Sequence, residues 1–142
     1  MKRDLLRGLF CMSTIAIRVA QGRFGLIARG CTWLVLAQLV VSGTLLLTRP
    51  PLVREVVSHL GYPAYFPILL GAAKLLAALA IGVPGSGVLA EWAYAGSTFD
   101  VVAVVFSHVA VADPLRETLA PLGILGVIAV SYLGARGRKD KT

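Results

Sequence analysis

The stretch from Glu91 to Ala112 most constrains what this chain can fold into. It is long and apolar enough to cross a bilayer, since about 20 helical residues span roughly 30 Å of hydrocarbon. It nevertheless contains Glu91, Asp100 and His108. Charged groups are costly at membrane depth and need a partner, a water-filled cavity or a function. We therefore expect an integral membrane protein whose other apolar segments pack around this one.

Composition supports a single membrane domain. Of the 142 residues, 57% are hydrophobic and 15% are charged, whereas about 25% of the residues in a soluble domain are charged. The net charge of +7 could indicate a nucleic-acid partner. That interpretation fails because most of the basic residues lie in the two tails. These residues are Lys2, Arg3, Arg7, Arg18, Arg23 and Arg29 before the first apolar segment, and Arg136, Arg138, Lys139 and Lys141 after the last.

The apolar segments predict an all-α fold, a four-helix transmembrane bundle in the lipid bilayer. A short helix outside the membrane is expected at 51–61, with Pro51 in its first turn. Pro67 is expected to kink the second span. The PGSG turn at 84–87 makes spans two and three an antiparallel hairpin. The four spans are expected at about 26 or 31 to 48, 62 to 83, 91 to 112, and 118 to 135.

Residues 1–25 form a basic amphipathic arm, separate from the membrane domain at 26–142. A polar stripe at helical spacing predicts an interfacial helix lying on the bilayer. A cleaved signal peptide is less consistent with the sequence, because Arg7 and Arg18 bracket too short an apolar run. A start at Met12 is a further alternative. Cys11 and Cys31 are not spaced as a zinc site or a disulfide framework.

The charge distribution predicts the orientation. The connections at 49–61 and 112–118 contain only Arg49, Arg54 and Arg116 as basic residues. Because basic residues beside membrane spans mark the cytoplasmic side, we expect both tails and the PGSG turn in the cytoplasm, in a multi-pass protein of the cell (plasma) membrane.

Gly96, Asp100 and Ser107 share one stripe of the third span at 100° per residue, and this stripe is expected to face the bundle interior. Folding the hairpin about Gly85 brings Lys74 of span two toward Asp100 once the tilt of both side chains is included. Such a pair either fixes the register of the helices or forms a site that handles protons or binds a ligand. The candidate intramembrane polar site comprises Lys74, Glu91, Tyr94, Asp100, Ser107 and His108.

Several of these residues also have simpler interpretations. Glu91 lies near a helix start, where the macrodipole favours an acid, and Tyr94 is typical of an aromatic belt. Three alternatives remain for His108: exposure to solvent, a bond to Asp113, or a bond to a ligand. His59 is expected to be an ordinary surface residue. The sequence has no metal, phosphate-loop or dinucleotide motif, and only one His lies inside a span. We therefore expect no resident metal, haem or other cofactor.

Four blocks of the chain resemble the DoxX-like family of small four-span bacterial membrane proteins. They are HLGYPAYFPILLGAAKLL (59–76), EWAYAGSTFD (91–100), SHVAVADP (107–114) and SYLGA (131–135). The resemblance extends from His59 onward and implies a four-helix bundle in the bacterial inner membrane. The matching positions are Gly61, Tyr62, Pro63, Lys74, Glu91, Trp92, Tyr94, Gly96, Asp100, Ser107 and His108.

Family relatives are linked to thiosulfate–quinone oxidoreduction and membrane redox complexes, and distant eukaryotic relatives act as membrane chaperones or cargo receptors. Neither activity follows for this chain, because it shows no set of cofactor ligands. Two functions remain. One is a non-catalytic subunit or assembly factor that docks membrane protein partners on small-residue faces of spans two and four. The other is a membrane enzyme or quinone-linked component that binds a lipophilic ligand around Lys74, Asp100 and His108. A ligand-sized pocket at these residues would favour the second.

Overall fold

The computed structural model describes the backbone of residues 2–139 and the side chains of residues 23–137 other than Glu117. Within this range the chain forms helices and no strands, which confirms the predicted all-α class. The helices are α1 (Lys2–Thr48), α2 (Pro51–His59), α3 (Phe66–Gly82), α4 (Val88–Ala110) and α5 (Leu115–Lys139).

Helix α1 runs without interruption from Lys2 to Thr48. The sequence contains no proline before Pro50, so no residue removes a backbone donor or forces a break. The part of α1 that is suited to crossing a membrane is Arg23–Thr48. The predicted contact of the arm with the bilayer surface falls on residues 1–22, outside the described side chains, and its separation from the membrane domain stays a prediction.

Three helical segments are long and apolar enough to cross a membrane: Arg23–Thr48, Val88–Ala110 and Thr118–Gly137. Helix α3 is apolar but has 17 residues, about 25 Å of helix, so the predicted four spans are matched approximately. The predicted kink at Pro67 is wrong. Residues 62–65 lie outside the helix, and Pro67 lies in the first turn of α3, where its missing N–H costs nothing.

The four longer helices pack in the cyclic order α1, α3, α4, α5, because α1 and α4 each contact both α3 and α5. The buried core is formed by Val35, Leu39, Ala78, Tyr94, Val101 and Ile128. The outer surface is also apolar. Trp33, Trp92, Phe99 and Phe106 are each more than 70% exposed, which suits a surface covered by lipid.

Small residues set the closest helix crossings. A Cβ at Gly71 of α3 would lie 2.8 Å from the carbonyl oxygen of Gly43 on α1, and a Cβ at Gly134 of α5 would lie 2.1 Å from the Cβ of Ala28. Gly71 and Gly134 therefore pack within the molecule, whereas Gly123 and Gly126 of α5 face open space. The predicted docking faces of spans two and four thus lose part of their small-residue surface to internal packing.

Candidate functional site

Lys74 on α3 and Asp100 on α4 form a direct ion pair. The Lys74 ammonium donates a hydrogen bond to Oδ2 of Asp100, and the two side chains are 9% and 12% exposed. This contact confirms the predicted pairing. Each charge neutralises the other at a depth where either alone would be strongly disfavoured.

A cavity of about 320 Å³ lies beside this pair and beneath α2, and we call it the α2 cavity. Lys74, Asp100 and His108 line it, with His108 about 12 Å from Asp100 along α4. The rest of its wall is mainly apolar and comes from α1, α2, α3 and α4, including Leu46, Val56, Val57, Phe66 and Leu70.

A second opening lies along the contact between α3 and α4. This α3–α4 groove has a volume of about 390 Å³ and is also lined by Lys74 and Asp100, together with Gly96 and Trp92. Gly96 is exposed, so the predicted inward stripe is wrong at this position. The buried face of α4 carries Ala93, Tyr94, Ser97 and Val101 instead, which directs Asp100 toward α3 and leaves Gly96 at the outer edge.

Asp113, in the connection after α4, joins two histidines. Its Oδ2 lies 2.7 Å from Nδ1 of His108, and its Oδ1 lies 2.9 Å from Nε2 of His59. The hydrogen bonds to His108 and then to His59 lower the pKa of the Asp113 carboxyl below its usual range. Among the described side chains, no three His, Cys, Asp or Glu are arranged to hold a metal ion. The cluster ties α2 to the α4–α5 connection.

His108 thus adopts one of the predicted alternatives, a bond to Asp113. His59 was expected to be an ordinary surface residue, and it is 57% exposed, yet it shares the same carboxylate. Sequence reasoning missed this contact because nothing in the local pattern of 51–61 shows which way α2 folds back over the bundle.

Tyr62 links the segment after α2 to α4. Its hydroxyl lies 2.6 Å from Oγ of Ser107, and Ser107 Oγ donates to the carbonyl of Ala103 at 2.8 Å. Because a serine hydroxyl has one hydrogen, Tyr62 must be the donor to Ser107. The Tyr62 ring also stacks on Phe66 with centroids 4.6 Å apart. Tyr62 and Phe66 both line the α2 cavity, so this bond fixes part of its wall.

Tyr94 belongs to a different polar contact. Its hydroxyl lies 2.7 Å from Oγ of Ser131, Ser131 lies 2.8 Å from Oγ1 of Thr32, and Thr32 donates to the carbonyl of Ala28. With one hydrogen on each hydroxyl, the donors run from Tyr94 to Ser131 to Thr32. This series of hydrogen bonds joins α4, α5 and α1. Sequence reasoning missed Ser131 and Thr32; their only signal was polarity within apolar spans.

A family model described as the DoxX-like family matches residues 30–131. The chain belongs to the DoxX-like family. The match begins well before His59, where the resembling blocks begin, and so includes most of the membrane-crossing part of α1. A search of curated proteins and a search of solved structures each found no match. With its apolar helices, this DoxX-like protein is a membrane protein and lies in a lipid bilayer.

The candidate polar residues of this DoxX-like protein divide into two groups. Lys74, Asp100 and His108 line the α2 cavity, and Ser107 contacts its wall through Tyr62. The other two, Glu91 and Tyr94, line a separate groove between α4 and α5 that also contains Tyr132, whose ring packs edge-on against Tyr94. The first group is the one that lies beneath α2, beside the ion pair.

Proposed function

We propose that this DoxX-like protein binds a lipophilic small molecule in the α2 cavity, around Lys74, Asp100 and His108. The observation that carries this proposal is the cavity itself, with about 320 Å³ of space and a mainly apolar wall. Small-molecule sites have volumes of about 300–1,000 Å³, apolar walls and a few polar groups that orient the ligand. A lipophilic ligand would enter the cavity at little desolvation cost.

Lys74 has unused hydrogen-bonding capacity toward the cavity. An ammonium has three N–H donors, and the bond to Asp100 is its one hydrogen bond among the described residues. A ligand oxygen would accept a second bond from Lys74. A quinone is one lipophile with such oxygens, and a quinone or a partner subunit would have to carry the electrons in any redox reaction.

Helix α2 covers the cavity. It has no buried residue, although its apolar side chains Leu52, Val56 and Val57 line the cavity. Contacts beside the cavity hold it in place, from His59 to Asp113 and from Tyr62 to Ser107. A ligand under α2 would give these apolar side chains a partner that the other helices do not supply.

The proposed setting is the bacterial inner (plasma) membrane, with both chain ends in the cytoplasm and residues 1–25 as an arm on the membrane surface. The excess of basic residues in the tails supports this orientation. A reporter active only outside the cytoplasm should then be silent after Lys141 and active near Glu55.

A test of ligand binding uses two neighbouring residues of α4. Both residues are exposed, but Ala103 lines the α2 cavity and Val102 lines none of the described cavities. Wild type, Ala103→Trp and Val102→Trp would be purified in mild detergent, and co-purifying small molecules would be measured by mass spectrometry. We expect a near-stoichiometric lipophile with wild type and Val102→Trp, and its loss from folded Ala103→Trp.

Equal recovery of the molecule from all three proteins would place it outside the cavity and overturn the proposal. The absence of any such molecule, together with no thermal stabilisation by added lipophiles, would also overturn it. The non-catalytic subunit or assembly factor would then be the better explanation, and co-purifying membrane proteins would be the next measurement.

A further inference from the structure

A second, smaller pocket lies at the end of the bundle that carries α2. It has a volume of about 200 Å³, and we call it the arginine pocket because Arg49 and Arg54 line it together with Ser58 and Tyr62. Arg49 follows the end of α1, and Arg54 lies in α2. None of the six candidate polar residues lines this pocket, although Tyr62, which contacts Ser107, does.

Most of the N–H donors of both arginines are unused by the described residues. Arg49 donates one hydrogen bond to the carbonyl of Ala64 at 3.3 Å, and Arg54 donates one to the carbonyl of Arg49 at 2.8 Å. A guanidinium has five N–H donors. Among the described residues, neither arginine has an acidic partner within salt-bridge distance. The pocket therefore presents two positive charges that the described part of the chain does not neutralise.

The backbone holds Arg49 in an unusual conformation. Its φ is +49°, in the left-handed region that disfavours residues with a Cβ. Its N–H bonds the carbonyl of Leu45, which is the helix-ending arrangement in which glycine is usually found. Strained residues of this kind cluster at binding sites. Here the strained residue carries the guanidinium that bonds the carbonyl of Ala64, just before α3 begins.

The arginine pocket adjoins the α2 cavity. Val53, Val57, Tyr62 and Pro67 line both. One molecule could therefore place a charged group at the arginines and extend an apolar chain beneath α2. Arginine is the side chain best suited to this arrangement, because its planar fork binds phosphate and carboxylate through paired hydrogen bonds.

We propose that the ligand is an anionic amphiphile whose phosphate or carboxylate headgroup binds Arg49 and Arg54 and whose apolar tail occupies the α2 cavity. This inference rests on the proposed binding function and narrows it to a class of molecule drawn from the surrounding membrane. A neutral lipophile would leave the two positive charges of the pocket without a partner. A free anion would leave the apolar wall of the α2 cavity uncovered.

The test compares dodecyl phosphate with dodecanol, two probes with the same chain and different headgroups, and inorganic phosphate as a competitor. Dissociation constants would be measured on the full-length protein in a non-ionic detergent at fixed salt. We expect dodecyl phosphate to bind wild type about tenfold or more tightly than dodecanol, because headgroup bonds to arginine are charge-assisted. Inorganic phosphate should not displace it.

Four variants show where the preference arises. Arg49→Gly and Arg54→Gln should each lose most of the preference for the phosphate, and the first also relieves the strained backbone, which favours folding. Arg29→Gln is the control, since Arg29 lies about 30 Å away along α1 and is exposed. Ala103→Trp should weaken binding of both probes, because it fills the space for the tail.

Other results would overturn the inference or one part of it. Equal binding of the two probes to wild type would overturn the anionic headgroup and leave the proposed lipophile site intact. A phosphate preference that survives both arginine variants, or falls equally in Arg29→Gln, would mean general attraction to a basic protein. Displacement by inorganic phosphate would make the ligand a free anion. Binding of neither probe would overturn the inference, and the mass-spectrometric result then decides the proposed function separately.

Discussion

The ion pair of Lys74 and Asp100 forms the boundary between the α2 cavity and the α3–α4 groove, since both residues line both spaces. Leu70 of α3 also lines both spaces. The pair is therefore both a contact that fixes α3 against α4 and the polar wall that any bound molecule would meet.

Removing one member of this pair should cost more than removing both. Lys74→Met or Asp100→Leu alone leaves an uncompensated buried charge, which costs roughly 3–5 kcal/mol in a buried pair. The double variant Lys74→Met with Asp100→Leu leaves no charge, so its melting temperature in detergent should exceed that of either single variant. A double variant no more stable than the worse single variant would show that the ion pair does not couple the two positions.

Helices α2 and α4 end in the same hydrogen-bonding pattern, but with different residues at the left-handed position. Gly61 has a φ of +76° after α2, and Ala112 has a φ of +57° after α4. In each case the next residue donates its N–H to a carbonyl five positions back, from Tyr62 to Val57 and from Asp113 to His108. These bonds place Tyr62 and Asp113, the residues that connect α2 to the rest of the bundle.

The two positions should respond in opposite directions to exchange between Gly and Ala. Ala112→Gly relieves a left-handed conformation that costs an L-residue about 1 kcal/mol, and should raise the melting temperature. Gly61→Ala introduces the same cost and should lower it. Circular dichroism during thermal unfolding of both variants in one detergent checks this. Equal changes in the two variants would contradict a cap-based explanation.

The sequence was sufficient to predict the helical class, the membrane setting and the family. Apolar runs bounded by Pro50, the PGSG turn and Asp113–Pro114 are local signals, and helix periodicity follows from them. It was also sufficient for the contact between Lys74 and Asp100, because the short turn fixes the register of the hairpin and the tilt of both side chains brings Lys74 toward Asp100.

Contacts between elements far apart in the chain were not predictable in this way. The bond from Tyr94 to Ser131 depends on which faces of α4 and α5 meet, and the bond from His59 to Asp113 depends on how α2 folds back. The cavity depends on both. The inward position predicted for Gly96 on α4 was wrong, because small residues are only enriched at helix contacts in membranes and Gly96 is exposed.

Gly134 and Gly126 of α5 provide a matched pair for testing the α1–α5 contact. A Cβ at Gly134 would overlap that of Ala28, whereas a Cβ at Gly126 meets nothing within 4 Å. Gly134→Ala should destabilise the protein by about 1–3 kcal/mol through overpacking. Gly126→Ala should be neutral or stabilising by up to about 1 kcal/mol, because alanine favours the helix. Melting temperatures that change equally would mean that α1 and α5 do not approach this closely.

The stability contributed by Asp113 should disappear in acid. Its hydrogen bonds to His108 and His59 lower the pKa of the folded-state carboxyl below the unfolded value of about 4. A lowered pKa stabilises the fold at pH values above the unfolded pKa, and this contribution is lost as the pH falls through the folded pKa. We expect wild type to melt above Asp113→Asn at pH 5, with the difference shrinking as the pH falls below about 4. Other carboxyl groups are common to both proteins and cancel in the difference. A difference that stays constant down to about pH 3 would mean that the ionised carboxylate does not hold α2 in place.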